Sequence, residues 1–275
     1  MKVYIEGKLT TAQQIPESDV VLGNNCVAFM FDEIRYELDG VEIDRTRNVG
    51  ITSTLQNYVS ASVDKMATLK NAGWDVAFNG KGDFNFCVPL NMLLGFCEDY
   101  KRVIQWRMPH VLLNEVNKLS ILRTLESGRY LNMGFRSWDL HEFPLLQQTT
   151  KHSWAIKTAT QLEKPRYVIF VLQTGRKNIM SENACKFSHC KLSNSYFGND
   201  DLAPGLTVYK FLEYGPFVII DCSRQNESVK SATVEVRLEF ECKENVPTNT
   251  TAYCLIIHDR VVQYNPLPNV VRKIT

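Results

Sequence analysis

Residues 31–45, FDEIRYELDGVEIDR, alternate apolar and charged side chains on either side of an Asp-Gly pair. Ile34, Tyr36 and Leu38 fall on one side and Glu33, Arg35, Glu37 and Asp39 on the other, the period-two pattern of a half-buried strand. Asp39-Gly40 suits the positive φ angles of a type I′ turn, and Val41, Glu42, Ile43 and Asp44 resume the alternation, so the segment predicts a β-hairpin. Residues 233–241, TVEVRLEFE, repeat the pattern, with Val234, Val236, Leu238 and Phe240 toward a core and Glu235, Arg237, Glu239 and Glu241 toward solvent. Three apolar runs do not alternate: 167–172 (YVIFVL), 217–220 (FVII) and 253–257 (YCLII). Such runs predict strands covered on both faces, and a fold holding both kinds of strand has more than one sheet packed face to face.

Helical signals are few and short, which argues against a sheet with crossover helices. One candidate is 90–103; another is 115–126, with Asn114 as N-cap, Val116, Leu119, Leu122 and Leu125 repeating every third residue, and Ser127-Gly128 as the stop. Both read as loop helices on a β scaffold. Residues 136–145, RSWDLHEFPL, form an extended segment closing at a proline, and 149–154, TTKHSW, leading into 155–164 and Pro165, read as a polar crossing between two β-rich halves. The expected division is 1–160 and 161–275, two sandwiches of common domain size.

The 275 residues carry 31 basic and 30 acidic side chains, a formal net charge of +1, which gives no electrostatic case for wrapping nucleic acid or docking on an anionic membrane. Arg176-Lys177 and Arg272-Lys273 read as solvated surface charge. The opening MKVYIEGKLTTAQQ lacks the apolar core of a secretory leader, and no run approaches a membrane span, so the expected location is intracellular, cytoplasm or nucleus. All eight cysteines are then expected as free thiols; Cys87, Cys222, Cys242 and Cys254 lie in strand-like surroundings, where a thiol packs as a small apolar group. Without a secretory route the sequons at Asn226 and Asn249 carry no meaning.

No P-loop, G-x-S-x-G elbow, H-E-x-x-H helix or paired C-x-x-C set is present, and Gly80-Lys81-Gly82 reads as a turn. Cys185, His189 and Cys190 are the nearest approach to a metal cluster, but adjacent His-Cys ligands are awkward and no fourth ligand stands at finger spacing. A cysteine with His110, His141, His152 or His258 could form a nucleophilic dyad, an arrangement that so many Cys and His permit by chance. His152, beside Trp154, reads as a hydrogen-bonding side chain at the crossing. Asp32, Glu33, Glu37, Asp39, Glu42 and Asp44 are spread along a strand pair rather than arranged in a calcium loop, and read as a solvated face that discourages aggregation. No catalytic, cofactor-binding or metal site is expected.

The hairpin phrase, extended to FDEIRYELDGVEIDRTRNVGI, resembles the invertebrate double jelly roll-like family, relatives of the major capsid proteins of Polinton-like and adintovirus-like double-stranded DNA viruses. Blocks at 84–102, 105–112, 135–157, 161–177, 218–227 and 234–266 resemble it in the same order, and phrases such as RSWDL, TTKHSWA and LEKPR are far more specific than any short motif. The resemblance also implies two shortenings: further strand-forming sequence belongs where Arg102 here runs almost directly into Trp106, and again where Leu192 passes into SNSYFGNDDLAPG.

That resemblance implies an all-β double jelly roll with short loop helices. Two jelly rolls of about eight strands each leave roughly 17 residues per strand and loop, so two incomplete sandwiches fit more comfortably. It further implies a structural role without catalysis or cofactor: two similar sandwiches per chain let a homotrimer present six near-equivalent lobes and tile a hexagonal lattice. Self-association is the expected partnership, with the virion as location for an assembling subunit, and no nucleic acid or membrane contact. The two shortenings favour a genome-resident, virus-derived copy that no longer assembles. The rival from another class is a monomeric intracellular β-sandwich binding a peptide or glycan; a Cys-dependent hydrolase is a third reading.

Overall fold

The computed structural model describes residues 2–8, 22–60, 69–74, 83–99, 119, 123, 126–156, 165–177, 179, 182–189, 216–223 and 236–274. β1 (Lys2–Lys8) pairs antiparallel with β4 (Asp83–Pro89). Between them in sequence, Asp39 and Gly40 take φ of 52° and 74° and join β2 (Glu33–Leu38) to β3 (Val41–Arg47), the hairpin that the alternation predicts. The register of that pair shifts after Tyr36: Tyr36 lies opposite Asp44 and Glu37 opposite Glu42, leaving Ile43 as an extra residue. This bulge moves the inward phase by one position, so that Ile43, Asp44 and Thr46 are all buried. Asp44 therefore does not belong to the solvated acidic face expected for it.

The largest sheet is organised on β10 (Thr250–Asn265). All of β5 (Leu131–Phe143) pairs along one edge of it. Along the other edge β10 pairs with β7 (Pro165–Thr174) from Thr250 to His258 and with β11 (Val270–Ile274) from Val261 onward, and β8 (Phe217–Asp221) extends the sheet beyond β7. Tyr253, Leu255 and Ile257 of β10, with Ile169 and Val171 of β7, face the larger core. Their neighbours Ala252, Cys254 and Ile256, with Val168, Phe170 and Leu172, face a second core. That second core is covered by a two-stranded sheet of β6 (Lys151–Ile156) and β9 (Val236–Glu241), through Trp154, Ile156 and Leu238. Burial on both faces is the physical reason why 167–172 and 253–257 are continuously apolar.

The run 217–220 departs from the same expectation. β8 pairs with β7 alone among the described strands, and Ile219 and Ile220 are 37% and 42% exposed. The first part of the expected crossing, from Lys151, forms β6, whose Trp154 and Ile156 point inward, and 157–164 lie outside the described residues. Residue 160 lies outside the described residues; β5 and β6, before it, pair with β10 and β9, after it.

Short helices decorate these sheets, among them α1 (Cys26–Phe29), α2 (Val49–Ser60) and α3 (Gly95–Asp99). α2 has no counterpart in the sequence reading, because Thr52, Ser53 and Thr54 are weak helix formers. Tertiary burial overrides that preference: its residues from Val49 to Tyr58 are all buried. The candidate at 90–103 is a 3-10 turn, Leu90–Met92, followed by α3, and 100–103 lie outside the described residues. Of 115–126 only Leu119, Arg123 and Glu126 are described, all helical. The protein is thus mostly strands in antiparallel sheets, as expected, and no helix among the described residues is long and apolar enough to cross a membrane.

Candidate functional site: buried polar clusters and open edges

Asp44 is fully buried, and its carboxylate accepts the Phe96 amide at 2.8 Å and the Ser137 hydroxyl at 2.7 Å. Phe96 is the second residue of α3, so β3 satisfies an N-terminal amide that a five-residue helix cannot satisfy itself. The docking needs glycine at 95, where a Cβ would stand 1.9 Å from the Arg136 carbonyl oxygen. At the far end of α3 the Asp99 carboxylate accepts the Arg136 amide at 2.9 Å. Phe96 stacks on Tyr36 at 4.8 Å and meets Phe135 edge-on at 5.0 Å. Burial pushes the Asp44 carboxyl above the usual carboxylate range, against the pull of its hydrogen bonds and of Arg260. The signal that could have marked Asp44 is the bulge, which period-two reading does not register.

A second polar knot ties α2 to α1. Asn25, 1% exposed and at φ 56°, donates to Ser53 Oγ at 2.7 Å and Thr54 Oγ1 at 3.0 Å. Thr54 Oγ1 lies 3.5 Å from Cys185 Sγ, which donates to the Asn24 carbonyl, while Tyr58 donates its hydroxyl to the Cys185 carbonyl at 3.0 Å. Cys185 is thus a buried structural thiol, pushed up to about 12 by burial. His189 is exposed, Cys190 lies outside the described residues, and no metal-holding group of His, Cys, Asp or Glu occurs among the described residues.

No disulfide joins the seven described cysteines to one another. Burial raises Cys26 and Cys222 and pushes Cys97 and Cys254 up to about 12, the reverse of what activates a thiolate nucleophile. His141 lies directly opposite Cys254 in the β5–β10 register, and burial lowers its proton affinity, so the pair is a neutral thiol beside a neutral imidazole. His258 is 2% exposed with Nε2 3.5 Å from Asp139. His152 Nε2 lies 2.9 Å from the Thr149 carbonyl oxygen and its ring stacks on Phe240 at 4.9 Å, a hydrogen-bonding and packing part as expected. His110 and the 80–82 turn lie outside the described residues.

The remaining acidic residues of the hairpin face outward among cations. Glu33 pairs with Arg35 and Arg47, and Glu42 stands within 4 Å of Arg35, Arg45 and Lys273, while Asp32, Glu37 and Asp39 are exposed. A shallow open depression lies between the ends of β6 and β9, lined by Lys151, His152, Ser153, Glu239, Phe240 and Glu241. Among the described residues the geometry therefore offers sheet edges and ion-paired faces rather than converging reactive groups.

A model of the double jelly roll-like domain family matches residues 20–105, 103–195 and 193–262. Among solved structures the chain is similar to PBCV-1 VP54, as fitted into a cryo-EM reconstruction of the virophage Sputnik. That likeness has 8% identity, covers 100% of this chain and 97% of that one, and reaches a TM-score of 0.50, which speaks to the fold alone. A chain of the Sputnik virophage solved by cryo-EM is similar over 53% of this chain and 39% of its own, at 8% identity and a TM-score of 0.35. No curated protein matches.

Proposed function

The chain belongs to the double jelly roll-like domain family, and on that premise we propose that it is a capsid-like structural subunit that performs no catalysis. The family match runs in consecutive stretches from residue 20 to residue 262, and this continuity carries the reading. Buried, proton-holding thiols at Cys97, Cys185 and Cys254 support the absence of a nucleophile. The near-neutral charge supports self-association, since identical subunits approach without strong mutual repulsion.

In the finer form of this proposal the subunit is a homotrimer by descent and a virus-derived, genome-resident copy that no longer closes a shell. The shortenings at Arg102 and Leu192 motivate that form; both positions lie outside the described residues. Its location is then intracellular, or the virion where assembly survives. The division into 1–160 and 161–275 is proposed with it as a division of sequence. Because β5 and β6 pair with β10 and β9, a protease cut near 160 should leave the two pieces associated.

Size-exclusion chromatography with negative-stain microscopy of the purified chain tests the reading. Low oligomers without closed shells are expected. Icosahedral particles would remove the non-assembling form and keep the capsid-like one, whereas a monomer binding a peptide or glycan at sub-micromolar concentration would replace the whole proposal with the binding-module reading.

A further inference from the structure

We propose that the β5–β10 pair contains an acid-sensitive latch, in which the single carboxylate of Asp139 serves Arg260 and the buried His258, with His141 beside it on the same strand. Asp139 Oδ2 lies 3.5 Å from His258 Nε2 and 3.7 Å from Arg260 Nη2. One anion is thus shared by a permanent cation and a titratable ring. The other ring nitrogen of His258, Nδ1, and Nε2 of His141 are both buried without a hydrogen-bond partner among the described residues. A proton added at either atom would sit away from water and without an acceptor, which is strongly disfavoured.

The surrounding charges offer little relief. Asp259, next to His258 on β10, is held by Arg166 of β7. Glu142 of β5 pairs with Lys177. Ser137, opposite His258 in the register, gives its hydroxyl to Asp44 of β3, and Asp99 of α3 takes the Arg136 amide. Tyr167, on β7, is opposite Ile257. Burial lowers the proton affinity of both rings; Asp139 opposes this for each, and at His258 Arg260 and His141 add to the lowering while Asp259 opposes it.

Folded-state values below the ordinary 6.5 mean that the unfolded chain takes up protons first. Stability present at neutral pH is therefore lost as pH falls below about 6.5. At this site β10 also changes partner along one edge: its register against β7 shifts between Ile257 and His258, and pairing with β11 begins at Val261. Charging His258 loosens the pair at the point where one edge partner gives way to the next.

Hydrogen exchange of the full chain at pH 7.5 and 5.5, corrected for intrinsic rates, tests the latch. Amides of 131–143 and 252–264 should lose protection on acidification, by at most about tenfold for each histidine at one pH unit below its unfolded value, while those of β6 and β9 change less. The H141Q/H258Q double variant should abolish that selective loss, and H152Q should retain it. An equal loss in every sheet, or a selective loss persisting in the double variant, overturns the proposal. Should the double variant fail to fold, proton NMR titration of the wild-type histidines decides: His141 and His258 must titrate below 6.5, and ordinary values for both overturn it.

Discussion

The Asp44 carboxylate and the Phe96 amide stand 2.8 Å apart, and through that bond the β2–β3 hairpin holds α3 against β5. Replacing Asp44 by Ala strands the Phe96 N–H and the Ser137 hydroxyl in the core, and at about 1–3 kcal/mol for each unsatisfied group should cost roughly 2–6 kcal/mol in urea unfolding at pH 7. Asp44→Asn keeps an acceptor and should cost much less. Because the folded carboxyl holds its proton more tightly than the unfolded one, near 3.8, wild-type stability falls as pH rises from there through the folded value. The Asn variant, which has no such penalty, should gain on wild type from pH 4 to pH 7; a constant difference would show that Asp44 ionises alike in the folded and unfolded chain, so that burial does not raise its proton affinity.

Two glycines should fail for different reasons. Gly40 has open space around it but φ of +74°, so Gly40→Val should cost roughly 1 kcal/mol or more through backbone strain alone. Gly95 has no room: the added Cβ of Gly95→Ala meets the Arg136 carbonyl, and the cost should reach or exceed the roughly 1–3 kcal/mol typical of overpacking. Gly50→Ala meets only the ring of Phe29, 37% exposed and able to swing away, and should be the mildest of the three. Urea midpoints of the three variants give the order directly.

Native alkylation at pH 8 should leave Cys185 and Cys254 unmodified over a period that labels both after denaturation, since each is fully buried and pushed up to about 12. Mass spectrometry of timed iodoacetamide reactions reads this. Fast labelling of either thiol in the folded protein would reopen the hydrolase reading.

At the sheet margin, Ile220 of β8 is 42% exposed. Ile220→Lys should change stability by no more than about 0.5 kcal/mol, as exposed substitutions do. It should also reduce concentration-dependent association, because a lysine on an edge discourages strand addition. Light scattering across a dilution series measures the second effect, and unchanged scattering would clear this edge of a part in association.

Much of the scaffold is legible in the sequence where one physical cause dominates each position. The hairpin at Asp39-Gly40 follows from alternation and turn chemistry, and the double-sided strands β7 and β10 follow from continuous apolar runs. β8 reads the same way yet pairs with β7 alone among the described strands, because which strand flanks FVII depends on pairing partners that composition does not encode. β6 was hidden by its mixed face, on which His152, Trp154 and Ile156 share the inward side. α2 was hidden by Thr and Ser side chains whose polar groups are satisfied by the Gly50 carbonyl within the helix, by the Arg47 carbonyl at the end of β3 and by Asn25, a contact only the fold creates. Asp44 was misplaced because one inserted residue, Ile43, reverses the phase of everything after it.

The position of β10 in the chain governs the order in which a ribosome delivers this molecule. β5 and β7 are made first, and each leaves the exit tunnel before the strand to which both hydrogen-bond exists. The nascent chain therefore carries the YVIFVL segment without its covering partner while the intervening sequence is translated, a period in which an apolar strand can pair with another nascent copy. Distant pairing of this sort also slows folding after release, since the ends of long loops must meet before any sheet energy is recovered. Chaperone dependence during synthesis is thus built into the strand order itself, and moving residues 250–274 ahead of β5 by circular permutation should relieve it.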